Sequence, residues 1–319
     1  MQLSLTIRLS EYIKVLKMNP KEAYDAVFRE MRKQIAGKED VIKLIFIALV
    51  ANGHVLLEGV PGVAKTTITK AIAATINGSF GRIQGMPDLE IKDIIGYVYM
   101  DESHNIELKK GPIFSNVLLI DELNRAPPRT TTSLLEALEE RQVTIGNSTM
   151  HLETPFMTIA TQNPLNIEGT TPLPKVLSDR FLMRIEVSYP SAEEEQHMLR
   201  IKESGEGVTI NHVMEKKDVI EMQSMVNGVR MPDDVVSYIT RVVNATRTDM
   251  HVVMGASPRA EISFMKCAKA KALVEGRDSV AIDDIKFLAK PVLSHRIVAR
   301  ATGGVGINGI IDGIIATLH

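Results

Sequence analysis

The sequence has one cysteine, Cys267, in 319 residues. A single thiol closes no internal disulfide and fits a reducing cytoplasm. It falls in the apolar-periodic run SFMKCAKAKAL, which argues for a core position rather than a nucleophile. An excess of one charge is also missing: 37 Lys and Arg stand against 39 Asp and Glu, a net of −2, so no global basic field draws the chain to nucleic acid or an anionic membrane. Aromatic residues make up 4% of the chain, which leaves few platforms for stacking bases and argues against a nucleic-acid partner. No apolar run approaches the roughly 20 residues of a membrane helix; the longest lies near LIFIALVA, Leu44 to Ala51. The opening MQLSLTIRLSEYIKVLK lacks the uninterrupted apolar segment and the small-residue cleavage site of a secretory signal. The eight histidines are scattered without an H-x3-H pair, and there is no CxxC, so a protein-held transition metal is not expected. The balance of 45% hydrophobic and 24% charged residues is that of a globular protein and argues against disorder. A soluble, cytoplasmic protein without membrane insertion is expected.

The length suggests two domains, or one large domain with an appendage. Residues 1–19 read as a short amphipathic arm. Asn19-Pro20 opens a helix over KEAYDAVFREMRKQIAG that should stop at Gly37, and KEDVIKLIFIALVANG is a second, largely buried helix. HVLLEG, NVLLIDE, FMTIATQN and MRIEVSYP are short apolar runs that read as buried strands. Helices over TTITKAIAATING and PPRTTTSLLEALEERQ alternate with them, which implies a parallel sheet covered on both faces. VTIGNSTMHL reads as a hairpin turning at Gly146-Asn147. After Pro190 the segments are all helical, many opening on Ser, Asp or Pro. The expected organisation is an α/β core over 20–190 followed by an all-helical lid over 191–319.

LLEGVPGVAKTT, Leu56 to Thr67, carries the chemistry. It reads G-x-x-x-x-A-K-T, one group away from the phosphate-loop pattern. In such a loop, backbone N–H groups and the next helix N-terminus cradle phosphates, the lysine adds a point charge and the following hydroxyl binds Mg²⁺. Here these are Gly59, Val60, Pro61, Gly62, Val63, Ala64, Lys65, Thr66 and Thr67. Alanine at position 64 is tolerated only if its φ is negative and no phosphate oxygen needs the methyl's space. About 55 residues on, VLLIDE places Asp121 and Glu122 at the tip of a buried strand, where one acid can orient Mg²⁺ and the other can polarise an attacking water. In TIATQNP, Asn163 ends another core strand; it could hold the water or sense the γ-phosphate, or be a turn Asn before proline. Arg180 in LSDRF could reach a neighbouring subunit's nucleotide, or be salt-bridged beside Asp179. Arg259 in GASPRA, at a helix start, could touch the γ-phosphate across the domain cleft.

Together these residues resemble an AAA+ ATPase, with Walker B acids at Asp121 and Glu122, sensor-1 Asn163, arginine finger Arg180 and sensor-2 Arg259. HVLLEGVPGVAKT, GPIFSNVLLIDELNRAPPRTTTSLLEALEERQVTIGN and ATQNPLNIEGTTPLPKVLSDRFLMRI resemble the MoxR family specifically. The resemblance spans roughly residues 25–300 and is most specific over 53–186. In that family alanine commonly precedes the lysine, so Ala64 reads as a working variant. The usual RIQFTPDLLP appears here as RIQGMPDLEI, a departure below the phosphate site. The resemblance implies the P-loop AAA+ fold and ATP hydrolysis with Mg²⁺ held by Thr66 and Asp121, in a hexameric ring of identical chains. It implies Lys65, Thr66, Asp121, Glu122 and Asn163 acting in cis, Arg180 in trans, and Arg259 from the lid. Gln34, Ile35 and Gly37 would lie near adenine. The hairpin at 143–152 would be a helix-2 insertion that engages substrate. The implied role is chaperone-like remodelling of a protein client, with a partner bearing a von Willebrand factor A domain.

Two other classes stay in view. A nucleic-acid motor or chelatase-type subunit would share the ring, against the acidic net charge. A nucleotide switch without turnover would not need Glu122. A GTPase reading lacks any N-K-x-D stretch.

Overall fold

The computed structural model describes residues 19–163, 171–203, 209–300, 304 and 306–318. Most of the expected N-terminal arm, residues 1–18, and part of the Gly-rich tail lie outside them.

In chain order the elements are α1 (Pro20–Met31), α2 (Glu39–Val50), β1 (Val55–Glu58), α3 (Lys65–Thr75), β2 (Phe80–Gln84), α4 (Ile91–Ile95), β3 (Gly96–Met100), β4 (Ile106–Lys110) and β5 (Val117–Asp121). They continue as α5 (Pro128–Thr132), α6 (Leu134–Glu140), β6 (Gln142–Ile145), β7 (Ser148–His151), β8 (Met157–Gln162), α7 (Lys175–Ser178) and β9 (Met183–Glu186). The remainder is α8 (Ala192–Glu203), α9 (Lys216–Met225), α10 (Asp233–Thr248), β10 (Val252–Met254), α11 (Pro258–Val274), α12 (Ile282–Leu293), β11 (Val298–Ala299) and α13 (Ile307–Thr317).

Five strands form one sheet in the order β2-β5-β8-β1-β9, and every pairing in it is parallel. Parallel strands covered on both faces read as unbroken apolar runs. The centre of the sheet is covered on both faces: all six residues of β8 are buried, Thr158, Thr161 and Gln162 among them. The parallel arrangement brings the C-terminal tips of β1, β5 and β8 to one edge of the sheet, where ligands of open α/β folds sit.

α1 starts where the sequence indicates, with the Asn19 side chain accepting from the N–H of Lys21 at 3.0 Å. It stops at Met31, six residues before the expected Gly37. Gly37 and Lys38 are both left-handed, with φ of 66° and 62°, so the chain turns into α2 instead of continuing the helix. α2 buries nine residues between Val41 and Val50 and packs against both the sheet and α11. One apolar core therefore runs from α1 and α2 into the helical lid. Lys43 on α2 adds an ion pair to Glu275 at 2.7 Å, and Gln223 on α9 donates to Leu49 O at 2.8 Å. The lid is helical apart from a short antiparallel pair, β10–β11.

The hairpin at 143–152 exists as β6–β7, turning at Gly146-Asn147, but its place corrects the insertion assignment. It follows α6, between the third and fourth sheet strands in chain order. The segment that interrupts the connection after β2 is a different hairpin, β3–β4, over 96–110. β3–β4 stands out from the body, with Val98, Met100 and Ile106 exposed at 48, 62 and 77%.

Candidate nucleotide site and a basic face

The loop from Gly59 to Lys65 leaves the tip of β1 and enters α3. Gly59 lies so close to the chain at Val187 that a Cβ would sit 2.5 Å from its carbonyl oxygen. Gly62 has φ of 88°, a conformation that favours glycine. Ala64 also lies in the left-handed region, at φ 65° and ψ 17°, directly before the first residue of α3. The condition of a negative φ is thus not met: the alanine is held in a conformation that costs a non-glycine residue about 1–2 kcal/mol. Lys65 donates to the Gly59 and Val60 carbonyls at 2.5 and 3.3 Å, so its ammonium lies inside the loop. Burial lowers its pKa against the opposing pull of Asp121, Glu122 and Glu58.

The acids occupy the tip of β5. Thr66 Oγ1 donates to Asp121 Oδ2 at 3.3 Å, which brings a hydroxyl and a carboxylate together beside the loop. Hard oxygen donors of this kind fit a magnesium ion bound together with substrate phosphates. Arg82 on β2 also donates to Asp121 Oδ2, at 2.9 Å. Thr161 on β8 donates to Asp121 Oδ1 at 2.7 Å and accepts from the N–H of Glu122 at 2.8 Å. Glu122 sits at φ 53°, turned out of the strand. Its Oε1 accepts from Asn163 Nδ2 at 3.3 Å and its Oε2 from Arg125 Nη1 at 2.8 Å. The buried Asn124 steadies this pair, donating to Asn163 O at 3.1 Å and accepting from Asn163 N–H at 3.3 Å.

The opposite edge of the sheet has another character. Leu182 N–H donates to His54 O at 2.8 Å, which ties the start of β9 to the start of β1. Just before β9, Arg180 Nη2 pairs with Glu139 at 2.6 Å. Arg259, the second residue of α11, pairs with the same carboxylate. Ser257 fastens this helix start by donating to Asp179 at 2.9 Å, and Arg296 Nε pairs with the other Asp179 oxygen at 3.0 Å. Glu139, Asp179, Arg180, Arg259 and Arg296 line a cavity of about 600 Å³ with Arg141 and Lys266. Burial pushes Arg141 down to about 10. Among the described residues its guanidinium contacts Asn52, the Phe156 carbonyl and the His54 ring, not an acid.

Residues 54–183 match the family model described as the ATPase family associated with various cellular activities (AAA), and residues 244–306 match that of the AAA lid domain. Chaperone MoxR1 of Mycobacterium tuberculosis is 39% identical over 86% of this chain and 74% of its own length. The uncharacterized protein YeaC of Bacillus subtilis is 43% identical, covering 90% of this chain and 92% of its own. A crystal structure of a putative ATPase from Cytophaga hutchinsonii superimposes with a TM-score of 0.89 at 36% identity, covering 100% of this chain and 99% of that one. The chain belongs to the MoxR family of AAA ATPases.

The MoxR fold brings Lys65, Thr66, Asp121, Glu122 and Asn163 to one edge of the sheet, through the contacts above. Gln34, Ile35 and Gly37 fall at the turn between α1 and α2, where Ile35 is buried and Gly37 lies under the Glu194 carboxylate of α8. Val63 is buried and Pro61 is exposed. Cys267 is buried on α11, and burial pushes its thiol up to about 12, as a core position requires. Arg259 departs from expectation: it stands with Arg180 at the far edge rather than across a cleft from Lys65, because Ser257 and Asp179 pin the start of α11 there. A four-residue strand rising about 3.3 Å per residue separates the two edges. Arg82, Asn124, Arg125, Glu139 and Thr161 join the site without having stood out in the sequence. Asn124 and Arg125 directly follow the two acids, and Thr161 stands two residues before Asn163, so proximity was their signal. Glu139 had none, since an acid in LLEALEE reads as a solvated helix face.

Among the described residues no helix is long and apolar enough to cross a membrane, and no group of three His, Cys, Asp or Glu converges as a metal site.

Proposed function

We propose that this MoxR-family ATPase hydrolyses ATP in a ring of identical subunits, six in number, whose active sites are shared between neighbours. The observation that carries this reading is the division of the site: phosphate loop and acids lie at one edge of the sheet, Arg180 and Arg259 at the other. A subunit so built supplies half of two sites. Gly59 to Thr67 cradle the phosphates, with Lys65 as the point charge. Thr66 and Asp121 hold the Mg²⁺ that accompanies ATP, which neutralises phosphate charge when bound. Glu122 polarises the attacking water, and Asn163 holds its carboxylate in place. Arg180 and Arg259 of the adjacent chain approach the γ-phosphate, where an arginine supplied in trans is worth about 10³–10⁵ in rate. Gln34, Ile35 and Gly37 take adenine through backbone and apolar contacts.

The named relative MoxR1 is a chaperone, and the same role is proposed here: ATP-driven remodelling of a protein client, in the cytoplasm, with a von Willebrand factor A domain protein as partner. The projecting apolar hairpin β3–β4 suits client contact better than β6–β7, which exposes mostly polar side chains.

The test is turnover against protein concentration, with mass measured in ATP, followed by subunit mixing. Lys65→Ala and Arg180→Ala should each be nearly inactive alone. Mixed, they should regain turnover, because the intact loop of one meets the intact arginine of the other. Turnover proportional to a monomeric species, or a silent mixture, would overturn the shared-site reading.

A further inference from the structure

Glu139 stands in the last turn of α6 and receives an arginine on each oxygen. Arg180 Nη2 donates to Oε2 at 2.6 Å and Arg259 Nη2 to Oε1 at 2.5 Å. The two arginines belong to different parts of the fold, one to the connection between α7 and β9 and the other to the lid helix α11. The nearest alternative acid, Asp179, is engaged by Arg296 and Ser257 and stands 4.0 Å from Arg259 Nε. The neighbouring acids of α6 are committed elsewhere: Glu136 accepts from Thr144, and Glu140 from Gln142.

An exposed ion pair contributes little to stability. The value of Glu139 lies in placement. Arginine carries about 2 kcal/mol of rotamer entropy, and a planar fork fixed by one carboxylate loses that freedom before substrate arrives. The Arg180 side chain is only 15% exposed and is held a second time, Nη1 donating to Val176 O at 2.7 Å. Its Nε is buried without a hydrogen-bond partner, so the group is fixed in direction but not saturated. Arg259 is 48% exposed and has Glu139 as its close anchor. The cavity beside them is dominated by cations, which suits a phosphate brought by another subunit.

We propose that Glu139 is a positioning residue of the hydrolytic reaction: it clamps Arg180 of the core and Arg259 of the lid into one forked pair that meets the neighbouring subunit's phosphates as a unit. This rests on the reading that both arginines serve the neighbour's site. It gives the lid a direct mechanical link to the finger, since a rotation of α11 moves Arg259 and, through Glu139, loads Arg180.

The test compares Glu139→Gln, which keeps shape and removes charge, with Glu140→Gln on the same helix turn. Glu139→Gln should lower kcat by about 10- to 100-fold, the scale of loss when a reacting group is misplaced by about an ångström. Its affinity for a fluorescent ATP analogue, its melting temperature and its mass in ATP should stay at wild-type values. Glu140→Gln should turn over normally. Mixing Glu139→Gln with Lys65→Ala subunits should restore turnover, because the second chain offers an intact pair to the first chain's loop. If Glu139→Gln matches or exceeds wild type, or loses its own ATP binding, or is not rescued while Arg180→Ala is, the positioning role is wrong and the shared-site reading survives. If Arg180→Ala is not rescued either, the shared site itself fails and Glu139 falls with it.

Discussion

Thr161 is bonded to Asp121 at 2.7 Å, and through its own acceptor lone pair it also takes the N–H of Glu122 at 2.8 Å. One hydroxyl on β8 thus fixes the neighbouring strand at the point where its two acids turn outward. The donor to Asp121 keeps that carboxylate aimed at Thr66, and the acceptor holds Glu122 in its left-handed turn.

Replacing Thr161 by valine keeps the branched shape and removes both bonds. A hydrogen bond to a charged group is worth about 1.5–3 kcal/mol, and the partly buried N–H of Glu122 would lose its acceptor. Turnover should fall by at least about tenfold, and the Mg²⁺ concentration for half-maximal rate should rise, because Asp121 is no longer aimed. A magnesium titration of ATPase rate checks this. An unchanged midpoint would remove Thr161 from the support of the site.

Ala64 allows a test of strain. Its φ of 65° costs a non-glycine residue about 1–2 kcal/mol, while glycine's greater freedom in the unfolded chain takes back about 0.5–1 kcal/mol. Ala64→Gly should therefore leave stability unchanged or raise it by up to about 1.5 kcal/mol, and should retain ATP binding. Ala64→Val should distort the loop and lose binding, since a β-branched residue at positive φ is an outlier. Thermal melting with and without ATP reads both. Full affinity in the Ala64→Val protein would mean the loop tolerates more than its backbone suggests.

What could be read from the sequence follows from burial. β1, β5 and β8 are covered on both faces, so β1 and β5 appear as the apolar runs VLLE and VLLID and β8 as MTIATQ, apolar but for its threonines, each ending in a polar group at the tip. β2 lies at the sheet edge and alternates as FGRIQ, without the long apolar run that marked the others. β3–β4 faces solvent on both sides, so no buried face imprinted an alternation on it. The motif order located Lys65, Asp121, Glu122 and Asn163 together because each ends or follows a parallel strand. It could not place Arg259, which depends on where the lid docks, nor Glu139, whose partners lie 41 and 120 residues away. The sign of φ at Ala64 is likewise a property of the folded loop.

The lid should loosen in acid through one carboxylate. Burial alone would raise Glu275, but hydrogen bonds from Lys43, Arg277 and Lys271 outweigh it and hold the group at about 2 instead of 4.5. A lowered carboxylate stabilises the fold above its unfolded value, and that contribution is lost as pH falls from 4.5 towards 2. Because Lys43 belongs to α2 and Glu275 follows α11, the loss falls on the contact between core and lid. Glu275→Gln should lower the melting temperature at pH 7 and flatten its dependence on pH between 4.5 and 2. Equal slopes in variant and wild type would exclude the cluster as the acid-sensitive element.

A second window opens at milder pH, from two histidines. The N–H of Thr158 donates to His54 Nδ1 at 2.9 Å, so that nitrogen carries no proton, and Nε2 faces Leu138 O at 3.1 Å. Burial, then the charge of Arg141, drives the His54 pKa well below 6.5. Burial and Arg296 do the same to His295, whose Nε2 lies 2.9 Å from Phe181 O. Both rings are neutral when folded and take up a proton near 6.5 when unfolded. Stability therefore holds above 6.5 and declines as pH falls below it, by up to about 1.4 kcal/mol per pH unit for each histidine. His54→Asn should reduce that slope by about half while destabilising the fold at pH 7. Denaturant unfolding at a series of pH values measures it. A slope unchanged in His54→Asn would mean that His54 takes up a proton in the folded state, and the hydrogen bond from Thr158 would then have to be broken to admit it.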